Sequence, residues 1–202
     1  MFYIKLGKLP TDTIEFFKEE ILKRKVDNEP YQWIQFDKTL NDKFVEIFEN
    51  TDLKIQWSSE KKRHTQKAFY SEWGYGYGIH KDGLKCKSAL NIAISCNPND
   101  WVRWYDDALI KRIAVLGIKD KDGHEYGYSR DAHIKQYEKV PFIEELKVEA
   151  GDVYLLNVDV FHSFKCRGND PRIIIQTKFE GYPTLDQIYE SLKYKSFKNL
   201  IT

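Results

Sequence analysis

Two histidines and one aspartate carry the clearest chemical potential in this 202-residue sequence. His80 and Asp82 stand two residues apart, and alternate residues of a β-strand point to the same face. A strand would therefore direct the imidazole and the carboxylate to one metal ion while Lys81 points away. His162, inside a later run of predicted strands, is the best candidate for a third ligand. The sequence thus predicts a metal site built from two imidazoles and one carboxylate, which leaves coordination positions open for chemistry.

An arginine adds a second feature at a defined distance from the third ligand. Arg172 follows His162 by ten residues and opens the apolar run Ile173-Ile174-Ile175. Beside so apolar a strand, an arginine must lie at a sheet edge or be paired with an anion. A guanidinium binds a carboxylate through two parallel hydrogen bonds, so a buried dicarboxylate would suit this position.

The elements expected around these residues are mostly short strands. The N-terminal third predicts strands at 2–6, 31–36 and 53–57, and helices after Pro10 and within 41–50. After residue 73 the pattern changes to strands and turns, beginning with GYGYGIHKDG, which has Gly at every second position and then a turn. The strands predicted there are 88–95, 101–105, 145–148, 153–157, 161–166 and 173–179, followed by a closing helix at 184–194. Short strands without alternating helices favour an antiparallel barrel or sandwich with flanking helices.

The order His80-x-Asp82, His162, Arg172 resembles that of the 2-oxoglutarate/Fe(II)-dependent dioxygenases, in a prolyl-hydroxylase-like or aspartyl-hydroxylase-like branch. The segments GDVYLLNVDVFHSF and DPRIIIQTKF are similar to that family's histidine and arginine strands, and the resemblance spans roughly residues 75–179. It implies a mostly β chain with flanking α-helices: a double-stranded β-helix (jelly roll, cupin-like) with N-terminal helices and a C-terminal helix. It also implies an enzyme that uses Fe(II), 2-oxoglutarate and O2 to hydroxylate a protein side chain or a small molecule, with succinate and CO2 as coproducts.

The resemblance assigns roles to individual residues. His80, Asp82 and His162 would bind Fe(II), and Arg172 would bind the distal carboxylate of 2-oxoglutarate. Two further residues are expected in the cosubstrate pocket: Tyr77, three residues before His80 as in prolyl-hydroxylase-like members, and Asn91, a polar residue between two alanines of a strand. Structural packing is the alternative for these last two.

Two departures from the family pattern bear on the site. Ile174 stands two residues after the arginine, where many members have Ser or Thr, so a second contact to the distal carboxylate must come from elsewhere, such as a tyrosine. Lys178 stands where the nucleic-acid dealkylase branch has a second arginine. With 32 basic and 31 acidic residues the chain has a net charge of +1, which also counts against a nucleic-acid partner.

The remaining expectations concern organisation. We expect a single domain over residues 1–202, with a jelly-roll core at approximately 73–180 and a substrate lid within 106–140. His124 and His133 in that insertion, and His64 in a basic run, are expected in solvated loops. Three cysteines without CxxC spacing, no signal peptide and no apolar span indicate a cytoplasmic protein without membrane contact. The alternatives are a jelly-roll binding module without catalysis, and a metal cupin that does not use 2-oxoglutarate.

Overall fold

A computed structural model describes residues 1–48, 66–72, 76–83, 86–113, 118–119, 125–126, 138–179 and 181–193. The strand predicted at 53–57 and the histidines His64, His124 and His133 lie outside these ranges. Of the predicted lid, the structure describes 106–113, the two short strands and 138–140. Within the described residues, no helix is long and apolar enough to cross a membrane.

The described elements alternate between strands and a few helices. The strands are β1 (Tyr3–Lys8), β2 (Tyr31–Gln35), β3 (Lys67–Ser71), β4 (Gly76–Lys81), β5 (Ser88–Ser95), β6 (Trp101–Trp104), β7 (Ile118–Lys119), β8 (Glu125–Tyr126), β9 (Glu144–Lys147), β10 (Asp152–Asn157), β11 (His162–Lys165) and β12 (Arg172–Lys178). The helices are α1 (Thr11–Leu22), α2 (Lys38–Phe48), α3 (Asp107–Ile113) and α4 (Leu185–Lys193).

In the described part of the chain, the strands form two antiparallel sheets of six. The major sheet has the order β1-β10-β5-β12-β3-β2, and the minor sheet has the order β7-β8-β4-β11-β6-β9. The predicted class, mostly β with flanking helices, is confirmed. The major sheet also takes β1, β2 and β3 from the N-terminal third, so its strands extend beyond the range 73–180.

Alternation along β12 separates the two faces of the major sheet. Ile173 and Ile175 pack on the outer face with Phe17 of helix α1. Ile174 points the other way and packs with Trp104 of the minor sheet. Because side chains alternate along a strand, every second residue counted from Ile174 also faces the interior between the sheets. Arg172 is one of these residues, so the fold directs it inward.

Helix α1 covers the outer face of the major sheet with one apolar stripe. Ile14, Phe17 and Ile21 are spaced by three and four residues, which places them on one side of the helix. Phe17 and Ile21 are fully buried. Pro10 directly precedes the helix, where a missing N–H leaves no hydrogen bond unmade. With one face covered by helices, the interior between the sheets remains the place for a polar site.

Candidate metal centre

Strand pairing brings the three predicted metal ligands together. His80 on β4 and His162 on β11 are directly opposite each other in the minor sheet. The Nε2 atom of His80 lies 3.5 Å from Oδ1 of Asp82, and Nε2 of His162 lies 3.8 Å from the same oxygen. The three possible ligand atoms lie within 4.8 Å of one another. They can therefore converge on one ion with small side-chain movements.

Asp82 reaches the site from just beyond the strand. Strand β4 ends at Lys81, and the Asp82 N–H donates to the carbonyl of Val158 at 3.0 Å, which holds the chain beside the minor sheet. Lys81 points away from the triad, as expected, because its Nζ pairs with Asp107 at 2.5 Å. The alternation inferred for His80-Lys81-Asp82 thus holds although only its first two residues belong to the strand.

Both imidazole rings are held in the same way by the backbone. Nδ1 of His80 lies 2.8 Å from the carbonyl oxygen of Gly78, and Nδ1 of His162 lies 3.0 Å from that of Val160. A carbonyl only accepts hydrogen bonds, so each Nδ1 carries the proton and each Nε2 keeps a lone pair. The lone pairs are directed toward Asp82. This tautomer is the one in which an imidazole binds a metal through Nε2.

The electrostatics of the triad favour a bound cation. Burial, together with the neighbouring His80, lowers the pKa of His162 to about 4, so this ring is neutral at neutral pH. Burial opposes ionisation of Asp82, whereas a proton on the facing imidazoles of His80 and His162 lowers the pKa of its carboxyl. With both Nε2 atoms unprotonated, a bound cation would take the place of that proton. Neutral imidazole nitrogen and an ionised carboxylate are suitable ligands for a divalent transition metal, so the donor set fits Fe(II).

Aromatic rings link the triad to Arg172. The edge of the Tyr77 ring contacts His80, with ring centroids 4.4 Å apart, and Tyr77 stacks on Phe164 at 6.2 Å. The guanidinium carbon of Arg172 lies 4.4 Å from the centroid of the Phe164 ring. Tyr77 therefore lies beside the triad, and Arg172 lies further into the space between the sheets.

Among the described residues, Arg172 is a buried cation without an acidic partner. Its exposed fraction is 4 %, and no carboxylate of the described residues lies within salt-bridge distance of its guanidinium. A buried charge is strongly unfavourable unless it is paired. Of the two possibilities raised by the sequence, the sheet edge is excluded, because β12 lies between β5 and β3. The position fits an anionic ligand.

Three polar atoms on the same interior face also lack partners. Within the described part of the chain, Tyr154 Oη, Asn91 Oδ1 and Ser71 Oγ are buried and accept or donate no hydrogen bond. Ser71 is directly opposite Arg172, and Asn91 is directly opposite Tyr154. Burial raises the pKa of the Tyr154 phenol far above its usual range although the charge of Arg172 opposes this, so the hydroxyl remains a donor. Unpartnered buried polar atoms are rare, and this group fits a polar ligand beside Arg172.

Tyr154 and Ser71 were not identified from the sequence. A tyrosine was expected to make a second contact to the anion, but its position was open. The one signal for Tyr154 is a hydroxyl-bearing residue within the apolar strand β10, between Val153 and Leu155. Ser71 gives no signal in the sequence because its place depends on the pairing of β3 with β12.

Comparison with known proteins rests on structure. Neither a family model nor a curated protein matches this chain. Its structure is similar to that of HygX from Streptomyces hygroscopicus with nickel, 2-oxoglutarate and hygromycin B bound, with 10% sequence identity, 89% of this chain and 83% of that chain covered, and a TM-score of 0.55. It is also similar to the epimerase SnoN in complex with Fe3+, alpha ketoglutarate and nogalamycin RO, with 10% identity, 87% and 77% covered, and a TM-score of 0.53. This chain therefore shares the jelly-roll fold of HygX and SnoN. The jelly roll predicted from the sequence is confirmed.

Proposed function

We propose that this protein is a 2-oxoglutarate- and Fe(II)-dependent oxygenase that hydroxylates a small molecule or a protein side chain and releases succinate and CO2. The observation that carries the proposal is the joint presence of the oriented His80, Asp82 and His162 triad and of Arg172, which is buried on the facing sheet and has no acidic partner in the described part of the chain. The similar fold of HygX and SnoN, whose structures hold a metal and 2-oxoglutarate, supports the same assignment.

Each residue of the site has a proposed role. His80, Asp82 and His162 hold Fe(II), which with O2 and 2-oxoglutarate supplies the oxidation chemistry. Arg172 binds the distal carboxylate of 2-oxoglutarate, and the hydroxyl of Tyr154 donates the second hydrogen bond to it. Tyr77, in contact with His80, limits the movement of the ring and lines the cosubstrate pocket.

Two buried oxygens complete the proposed cosubstrate pocket. Asn91 presents an amide beside Tyr154, and Ser71 presents a hydroxyl beside Arg172. Because both oxygens are without hydrogen-bond partners among the described residues, they would gain most from a polar ligand. We propose that they orient the oxygens of 2-oxoglutarate.

The orientation of Arg172 weighs against the alternatives. A metal cupin that does not use 2-oxoglutarate would have no need for a buried cation near its metal site, and a binding module without catalysis would need no oriented triad. Here the Arg172 guanidinium faces the interior and lies over the ring of Phe164. That ring stacks on Tyr77, which contacts His80 of the triad. Both features together favour the oxygenase.

An anaerobic titration tests the proposal. Adding Fe(II) and 2-oxoglutarate to the metal-free protein should produce a weak visible charge-transfer band, and admitting O2 should produce succinate slowly even without substrate. Asp82→Asn should weaken metal binding and abolish both signals. Asp159→Asn is the matched control, because Asp159 is exposed and lies three residues before His162. Absence of metal binding, cosubstrate binding and succinate in the unaltered protein would refute the proposal.

Product analysis then tests the type of oxidation. Under 18O2, a hydroxylated product should carry one 18O atom, and succinate should carry another. A product with the composition of the substrate or two hydrogens fewer would retain the oxygenase class but replace hydroxylation by another oxidative outcome.

A further inference from the structure

Two lysines occupy the same interior face as Arg172, at the opposite end of the major sheet. Arg172 is the first residue of β12 and Lys178 is the last, so their Cα atoms are about 20 Å apart at about 3.3 Å per residue. Lys67 begins β3 and is directly opposite Gln176, which shares its face with Lys178. The two lysines are therefore diagonal neighbours on one face of the sheet.

Both ammonium groups lie within electrostatic reach of the metal triad. Burial, followed by the charge of Lys178, lowers the pKa of Lys67 to about 8, and the charge of Asp82 partly offsets this. The charge of Lys178 in turn reaches the Asp82 carboxylate. Lys67 thus remains mostly protonated at neutral pH, and both ammonium groups act electrostatically on Asp82 of the triad.

Neither lysine has an acidic partner in the described part of the chain. Other partly buried lysines do: Lys81 pairs with Asp107, and Lys165 pairs with Glu138. Lys67 instead packs over the indole of Trp33, with Nζ 3.3 Å from the ring centroid. Contact with an aromatic face stabilises a cation only partly and leaves room for an anion on its other side.

The balance of charge at the proposed active site points the same way. The two positive charges of Fe(II) balance the two negative charges of 2-oxoglutarate, and the charge of Asp82 balances that of Arg172. Lys67 and Lys178 then remain as two positive charges without compensation. Partly buried like charges repel each other, so a ligand that brings negative charge is favoured there over a neutral one.

We propose that Lys67 and Lys178 form the substrate-recognition site of the enzyme and bind a carboxylate or phosphate group of the substrate. The site lies at the end of the interior face of the major sheet opposite Arg172. The inference rests on the proposed function and names the class of substrate: an anionic molecule or an acidic side chain. Trp33, of which 37 % is exposed, lies beside Lys67 and offers a surface to the apolar part of such a substrate.

Three probes that share a phenyl ring test the inference on the whole protein, loaded with redox-inert Mn(II) and saturating 2-oxoglutarate. Benzoate and phenyl phosphate carry the two anionic groups, and benzamide is the neutral counterpart. Calorimetry should show at least one anionic probe binding about tenfold or more tightly than benzamide, consistent with a charge-assisted contact. The tighter of the two identifies the group.

Variants assign this preference to the two lysines. The Lys67→Gln/Lys178→Gln double variant should lose the preference, whereas Lys67→Arg/Lys178→Arg should retain it. Lys18→Gln, on the exposed face of α1, is the control and should bind all probes as the unaltered protein does. Equal binding of benzoate, phenyl phosphate and benzamide to the unaltered protein, or an unchanged preference in the double glutamine variant, would overturn the inference.

The outcome separates this inference from the proposed function. Loss of 2-oxoglutarate binding in the double glutamine variant would place the lysines in the cosubstrate site and overturn the inference alone. If the unaltered protein binds neither metal nor 2-oxoglutarate, the proposed function fails. The same probes on the metal-free protein then decide whether the lysines bind anions: a lysine-dependent preference supports an anion site, and its absence refutes it.

Discussion

Replacing Tyr154 by phenylalanine should stabilise the ligand-free protein and weaken cosubstrate binding at the same time. The phenol is buried to 1 % exposure, and within the described residues its oxygen has no hydrogen-bond partner. An unmade buried hydrogen bond costs about 1–3 kcal/mol. Tyr154→Phe removes that atom without removing the ring, so the free energy of unfolding should rise by about 1 kcal/mol. For a chain of this size, Tm should rise by about 2–4 °C.

The same change should have the opposite effect on 2-oxoglutarate. A hydrogen bond to a charged group contributes about 1.5–3 kcal/mol. If Tyr154 donates one to the distal carboxylate beside Arg172, its loss should raise the Kd for 2-oxoglutarate by about 10- to 100-fold. Denaturant unfolding of the metal-free protein and calorimetry on the Mn(II) form measure the two effects.

Tyr105 provides the matched control. It is also fully buried, but its hydroxyl lies 2.6 Å from Oγ of Ser163 and makes a hydrogen bond. Tyr105→Phe removes that bond and leaves Ser163 without it, so the free energy of unfolding should fall by about 1 kcal/mol. Its affinity for 2-oxoglutarate should not change. A destabilising Tyr154→Phe, or unchanged 2-oxoglutarate affinity in that variant, would refute the reasoning.

Three further predictions follow from the site and its supports. His162 has a pKa of about 4 in the folded protein and about 6.5 in the unfolded chain, so the unfolded chain takes up a proton first as the pH falls. Lowering the pH from 8 to 5 should therefore reduce the free energy of unfolding of the metal-free protein by about 2 kcal/mol. In denaturant titrations, His162→Asn should remove that part of the loss. Arg172→Gln should raise the Kd for 2-oxoglutarate by about tenfold or more but leave Mn(II) affinity unchanged in calorimetry, and a parallel loss of metal binding would contradict this. Gly168→Ala should lower the free energy of unfolding by about 1–3 kcal/mol, because the added Cβ would lie 1.8 Å from Cγ of Asn97. Gly78→Ala is the control and should have little effect on stability, because the added Cβ would meet open space.

The parts of the site that depend on local geometry could be predicted from the sequence. Alternation along one strand places His80 and Asp82 on one side of Lys81, and hydrophobicity marks Arg172 as an anomaly in β12. Burial of Arg172 without an acidic partner among the described residues is consistent with the expected anion. These inferences needed only the periodicity of a strand and the energetics of a buried charge.

The parts that depend on which strands pair could not be predicted. Ser71 lies beside Arg172 only because β3 is the neighbour of β12, and β3 precedes the range in which the core was expected. Lys67 and Lys178 come together for the same reason. A strand's sequence gives the alternation of its faces but not its partner, because pairing is decided by packing across the whole sheet.

The shift in register between β4 and β11 has a consequence for transferring this site to another protein. His80 is opposite His162, and Tyr77 is opposite Phe164, so three steps along β4 match two along β11. In a regular strand, residues three apart point to opposite faces, yet here Tyr77 and His80 touch. A designer who grafted the ligands onto an ideal ladder would turn the tyrosine outward. The irregular ladder is therefore part of what must be copied, and Gly78, whose carbonyl holds the His80 ring, belongs to the smallest transferable unit.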